Sequence, residues 1–248
     1  LEALNIQPEV YHMNEGHSAF LALERIRVML QQRPTITFDE ARQHVMSTSV
    51  FTTHTPVPAG IDTFHPDLMV KYFKPMIPTL KLDEEGFLAL GREDVTNKKQ
   101  GFSMAVLAIR LADGVNGVSW LHGDVSRKMW HNMWPHVPAD EVPIKHVTNG
   151  IHLRTWLSPE IASVLERYMS DKWLEDPTDP KAWAQINQIP DEELWRAHER
   201  CRERLVSFTR QSLRDQLARR GGTFSDVAVA DQVLDPEALT IGFARRFA

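Results

Sequence analysis

Four apolar, β-favouring runs in this 248-residue sequence each break abruptly into a cluster of polar side chains. They are Val10-Tyr11-His12-Met13-Asn14-Glu15-Gly16-His17, Val50-Phe51-Thr52-Thr53-His54-Thr55-Pro56, Val118-Ser119-Trp120-Leu121-His122-Gly123-Asp124 and Ile144-Lys145-His146-Val147-Thr148-Asn149-Gly150-Ile151-His152. A helix-compatible stretch often follows. Strands alternating with helices predict an α/β fold, and an open α/β sheet places its ligand site just beyond the carboxyl ends of its strands. The pattern therefore predicts a site assembled from distant parts of the chain.

The rest of the sequence narrows the class. A net charge of -5 provides no general attraction to nucleic acid or to an anionic membrane, so neither is expected as a partner and any anion site has to be local. The single Cys201 cannot form an internal disulfide, which fits a reducing compartment and a cytoplasmic location. No apolar run reaches membrane-spanning length, and Leu1-Glu2-Ala3-Leu4-Asn5 lacks the basic and apolar regions of a signal peptide. The chain starts at Leu1 and stops directly after the strand-like run Leu239 to Ala244, so it reads as an internal fragment whose last strand needs neighbours from elsewhere.

Between the clusters the periodicity is helical. Ser18 to Gln32 carries Phe20, Leu23, Ile26, Val28 and Leu30 among charged residues, and Thr37-Phe38-Asp39-Glu40 has the form of a capping box that opens a second helix. Residues 61–100 predict short helices and loops. Ser103 to Leu111 predicts a helix, Asp113-Gly114 a break, and Gly117 to Leu121 a strand. Ser158-Pro159-Glu160 predicts a helix start, and Asp191 is expected to cap a long bracing helix with Leu194, Ala197, Cys201, Leu205, Phe208 and Leu217 on one stripe, ended by Gly221-Gly222. The candidate boundary between two domains is the polar loop Thr148-Asn149-Gly150.

Asn, Glu and His offer directional donors and acceptors, which suit a ligand covered in hydroxyl groups. Taken singly, Asn14 or Asn149 before glycine stabilises a turn; the recurrence at four strand ends is what points to a sugar pocket. His54, between threonines and ahead of a proline-rich loop, reads as a hydrogen-bonding group facing that ligand. His12 with His17, and His146 with His152, lack the helical H-E-x-x-H spacing, so no metal is expected. Arg245 and Arg246, just beyond an apolar run, suit the planar recognition of phosphate. Of Trp120, Trp130, Trp134 and Trp156, most are expected to fill a core.

Taken together, H-M-N-E-G-H-S-A-F (12 to 20), T-T-H-T-P-V-P-A-G (52 to 60), N-G-V-S-W-L-H-G-D-V-S-R-K-M-W (116 to 130), V-T-N-G-I-H-L-R-T-W-L (147 to 157) and T-I-G-F-A-R-R-F-A (240 to 248) resemble the α-glucan (glycogen/maltodextrin) phosphorylase family, in its bacterial and archaeal branch. The resemblance implies part of a two-Rossmann-domain (GT-B type) enzyme, with residues 1–148 ending the first, glucan-binding domain and 149–248 opening the second, cofactor- and phosphate-binding one. It implies phosphorolysis of terminal α-1,4 bonds of a glucan by inorganic phosphate, giving glucose 1-phosphate with retention. Pyridoxal phosphate is the implied cofactor, its phosphate group serving in proton transfer.

Carried onto these positions, the resemblance has His54 and Asn149 bind the glucosyl residue near its 6-hydroxyl, Asn14, Glu15 and His17 line or support the inner sugar pocket, and Arg245 and Arg246 contact the cofactor and substrate phosphates as the catalytic cations. His122 and Asp124 would shape the pocket. The family's Schiff-base lysine falls downstream of Ala248 and its glycine-rich phosphate loop upstream of Leu1, so the fragment alone is expected to be inactive. Phosphorylases are commonly dimers, which makes a homodimer the expectation for the full-length enzyme. Two rivals stand beside this reading: a retaining glycosyltransferase that uses a sugar nucleotide on a similar scaffold, and a non-catalytic glucan-binding relative.

Overall fold

In the computed structural model, which describes residues 2–243, the polar ends of the apolar runs meet at one edge of a sheet. Strand β1 (Tyr11–Asn14) leads through a short 3₁₀ turn into helix α1 (Phe20–Gln32), and α2 (Phe38–Met46) leads directly into β2 (Ser49–Thr53). Short elements follow: β3 (Thr63–Phe64), α3 (Pro66–Phe73), α4 (Glu84–Ala89) and β4 (Phe102–Ser103), with β3 and β4 paired antiparallel. Then come α5 (Met104–Arg110), β5 (Gly114–Gly117), α6 (Trp120–Met129) and β6 (Lys145–His146). The main sheet has the order β1-β2-β5-β6 and is parallel throughout. Asn14 lies opposite Thr52, Thr52 opposite Asn116, and Gly117 opposite His146. Parallel pairing sends all four carboxyl ends to the same edge.

The sequence chemistry explains the supports of this sheet. Thr37 and Glu40 form the expected reciprocal cap, the Thr37 N–H and hydroxyl donating to the Glu40 carboxylate at 2.7 and 2.8 Å and the Glu40 N–H to Thr37 Oγ1 at 3.3 Å. Leu23, Ile26, Phe51, Leu107 and Leu111 are fully buried in one core with Phe87 and Phe102. Phe20, Phe73, Phe87 and Phe102 form a run of ring contacts at 4.7, 5.3 and 5.4 Å between centroids, which ties the short elements of residues 61–100 to α1. At the amino end of the sheet, the Arg25 guanidinium lies 3.6 Å over the Tyr11 ring and donates to Ser49 Oγ and Thr48 Oγ1, stitching α1 to the start of β2. Burial lowers its pKa from the ordinary arginine value.

The chain divides into two compact units, Leu1–Asn149 and Gly150–Ala248. The second contains α7 (Leu153–Trp156), α8 (Pro159–Tyr168), α9 (Lys172–Glu175), α10 (Asp191–Arg219) and α11 (Phe224–Val229), with no strand among its described residues. Its core is small, built from Leu165, Met169, Trp173 and Ala182. Glu193 of α10 accepts from Arg167 Nη1 at 2.6 Å and from the Tyr168 hydroxyl at 2.7 Å, pinning α8 to the start of the long helix.

Several local expectations are corrected. The strand expected at Gly117 to Leu121 lies earlier, at Gly114–Gly117, because Ser119 accepts the His122 N–H and starts α6 at once, putting Trp120 and Leu121 on a helix. Asp191 is the first helical residue of α10, not its cap; Pro190 precedes it without a side-chain cap. The stripe on α10 is not a buried brace either: Ala197 and Val206 are buried, whereas Leu194, Leu205 and Phe208 are exposed. Leu239 to Phe243 forms no strand and its apolar side chains face outward, since an isolated run has no ladder to join. Trp130 is buried and Trp134 partly so, but Trp120 and Trp156 are exposed.

Candidate active site

Two neighbouring strand ends are locked by charged and polar pairs. His54, one residue past β2, donates from Nε2 to Asn14 Oδ1 at 2.7 Å, and Asn14 is the last residue of β1. The next residue, Glu15, turns its carboxylate across the gap: Oε1 accepts the His54 backbone N–H and the Thr55 hydroxyl, the latter at 3.1 Å, and Oε2 accepts the Gly16 N–H at 3.4 Å. His54 is thus held at backbone and ring by consecutive residues of another strand. With Nε2–H committed to Asn14, the ring has Nδ1 left to meet a ligand, and Asn14 keeps its amide N–H groups as donors, which is the chemistry a hydroxyl-rich ligand needs.

A second chain of hydrogen bonds crosses three strands at the same level. Asn116 Nδ2 donates to Gly117 O at 3.1 Å, which presents Oδ1 to the Thr52 hydroxyl at 3.0 Å. The hydroxyl proton being so used, Thr52 Oγ1 accepts from His12 Nε2–H at 2.7 Å. At the end of β5, the Val118 N–H donates to His122 Nδ1 at 3.2 Å, and the ring lies so close over Gly117 that a Cβ there would stand 2.9 Å from Nδ1. His122 is therefore a buried support of the β5–α6 turn. Asn149 hangs from the same strand, its N–H donating to Val118 O at 3.2 Å with its side chain exposed. His54 and Asn149 thus emerge at the same carboxyl edge, beyond β2 and β6, with β5 between them.

A family model described as carbohydrate phosphorylase matches residues 4–220. This chain belongs to that family. The maltodextrin phosphorylase of Thermococcus litoralis is 39% identical over the whole of the chain, the glycogen phosphorylase of Mycobacterium tuberculosis 40% identical over 96% of it, and that of Aquifex aeolicus 33% identical over 99%. The chain spans only 28%, 28% and 35% of the lengths of these three relatives.

Within this carbohydrate phosphorylase chain the structure brings together Asn14, Glu15 and His54, and sets Asn149 at the same sheet edge. His17 is exposed on the 3₁₀ turn after Glu15, and its ring makes no hydrogen bond among the described residues. Asp124, expected to shape the pocket, instead pairs along its own helix with Lys128 at 2.7 Å and Arg127 at 3.6 Å; the Lys128 hydrogen bond holds its carboxyl below the usual aspartate range. Arg245 and Arg246 lie outside the described residues. No group of three or more His, Cys, Asp or Glu among the described residues could hold a metal ion, and none of the described helices is long and apolar enough to cross a membrane. Thr52, Thr55 and Asn116 were not singled out from sequence; the threonines of T-T-H-T and the Asn-Gly that closes β5 were the only signals, and both residue types are ordinary at strand ends.

Proposed function

We propose that the full-length protein is an α-glucan phosphorylase, and that this chain carries its glucosyl-binding edge. The observation that carries the reading is the His54–Asn14–Glu15 lock at the carboxyl edge of a parallel sheet, in a chain of the carbohydrate phosphorylase family. On this reading the first unit closes a glucan-binding Rossmann-like domain and the second, from about residue 149, opens its GT-B partner. His54 and Asn149 hold the terminal glucosyl residue near its 6-hydroxyl, and Asn14 orients His54. An oxygen of inorganic phosphate forms the new bond to the anomeric carbon as the α-1,4 bond breaks, the glycosidic oxygen leaves with the proton that the hydrogen phosphate gives up, and glucose 1-phosphate retains the α configuration. Correct placement of the glucosyl unit is the contribution made by these side chains, and placement errors of about 1 Å cost about a hundredfold in rate.

Four arginines of the second unit are not free for a cofactor phosphate. In the second unit Arg167 and Arg204 pair with Glu193 and Glu160, Arg210 donates to the carbonyls of Val233 and Leu234, and Arg214 pairs with Asp231, so these cations are spent on local contacts. Pyridoxal phosphate, with Arg245 and Arg246 toward the phosphates, belongs to the proposal for the full-length enzyme on family membership. A homodimer and a cytoplasmic location belong to the same proposal.

The deciding assay measures glucose 1-phosphate released from maltodextrin by the full-length protein, with and without inorganic phosphate and pyridoxal phosphate. Release that needs both is the expected result. Glucosyl transfer from a sugar nucleotide without phosphate would identify the transferase instead, and glucan affinity without any turnover would identify the non-catalytic relative.

A further inference from the structure

Glu15 has φ 69° and ψ 164°, backbone angles that only glycine adopts freely. Both sides of the residue enforce them. Its N–H extends the β1–β2 ladder by donating to Thr52 O at 2.9 Å, and its carbonyl accepts the Ser18 N–H at 3.2 Å and the Ser18 hydroxyl at 2.7 Å. The chain then dives against α5, where Gly16 is buried so tightly that a Cβ would lie 3.0 Å from Ala105 N and 3.1 Å from Met104 Cβ. The strand must end, reverse and clear α5 within one residue. Glycine would do this without strain, yet the position holds glutamate.

We propose that Glu15 is a positioning residue rather than a sugar ligand, kept at a strained backbone position because only from there does its carboxylate clamp the His54 loop. Oε1 is occupied by the His54 N–H and the Thr55 hydroxyl and Oε2 by the Gly16 N–H. The carboxylate is thus turned to the protein, and what it fixes is the first two residues of the loop beyond β2, before Pro56 and Pro58 carry the chain away. With the loop fixed, the His54 ring meets Asn14. Stability is given up at this residue for the geometry of the next strand's histidine. The proposal rests on the reading of His54 as a glucosyl-binding group.

The test uses the full-length enzyme with Glu15→Ala, which keeps the strained backbone and removes the carboxylate, and Glu15→Gly, which removes both. Glu15→Gly is expected to melt at a higher temperature than Glu15→Ala. Both are expected to lose about a hundredfold in kcat, with the maltodextrin KM changed by less than about threefold. Glu15→Gln, whose amide oxygen still accepts the His54 N–H, is expected to recover part of the rate. A Glu15→Gly enzyme that melts no higher than Glu15→Ala overturns the strain; near-normal kcat in both, or a raised KM with unchanged kcat, overturns the positioning role. His54→Ala separates this from the reading beneath it: near-normal phosphorolysis there removes His54 from the glucosyl site, while the melting order of the two Glu15 variants still reports the backbone strain.

Discussion

Adjacent threonines on β2 have opposite standing. Thr52 sits in the middle of the relay from His12 to Asn116, whereas the Thr53 hydroxyl is fully buried with no partner. Thr52→Val strands the Asn116 carbonyl oxygen and the His12 N–H and is expected to destabilise the protein by about 1–3 kcal/mol, while Thr53→Val removes an unsatisfied hydroxyl and is expected to be neutral or stabilising. Denaturant midpoints of the two variants check this, and a larger loss in Thr53→Val would refute it. Nothing in T-T-H-T distinguishes these residues, because strand alternation sends successive side chains to opposite faces and only the neighbouring strand decides which face offers an acceptor. His12 is a similar case: its spacing from His17 gave no role, and the neighbouring strand made it a donor to Thr52.

At the scale of elements, caps and close approaches govern. The Thr37 N–H and hydroxyl hold the Glu40 carboxyl below the usual glutamate range, the backbone donor first. A carboxylate with a depressed folded pKa stabilises above its unfolded value, near 4.3, and loses that contribution as pH falls through the lower folded value. Glu40→Gln is therefore expected to lower the melting temperature at neutral pH and to differ little from the parent in strong acid, as thermal scans at the two pH values will show. Gly91 faces Phe102 so closely that a Cβ would stand 2.4 Å from its ring, and Gly91→Ala is expected to cost about 1–3 kcal/mol in denaturant unfolding. The capping box was legible because its partners are three residues apart. The glycine's role was not, since Phe102 reaches it through the fold. The same distinction explains β5, where a local Ser119 cap overrode an apolar run that continued to Leu121.

At the scale of the whole molecule, the chain is an α/β unit with a parallel sheet followed by a helical unit, both within the carbohydrate phosphorylase family. A net charge of -5 gives this chain no overall pull on an anion, so on the proposed reading local cations have to supply it. Arg246→Ala is expected to reduce kcat/KM for phosphate by about a hundredfold or more while leaving glucan affinity within about twofold; equal weakening of both, measured by kinetics and oligosaccharide titration, would count against that role. By itself the sequence determined the α/β class, most helix positions, the family and the placement of polar clusters at strand ends, because those follow from periodicity and motifs written in contiguous residues. Only the tertiary structure decided that Glu15 clamps His54, that Thr52 links His12 to Asn116 and that Asp124 turns along its own helix. Strand register and backbone angles are imposed by groups far apart in the chain, and they settle which of several available partners a polar side chain meets.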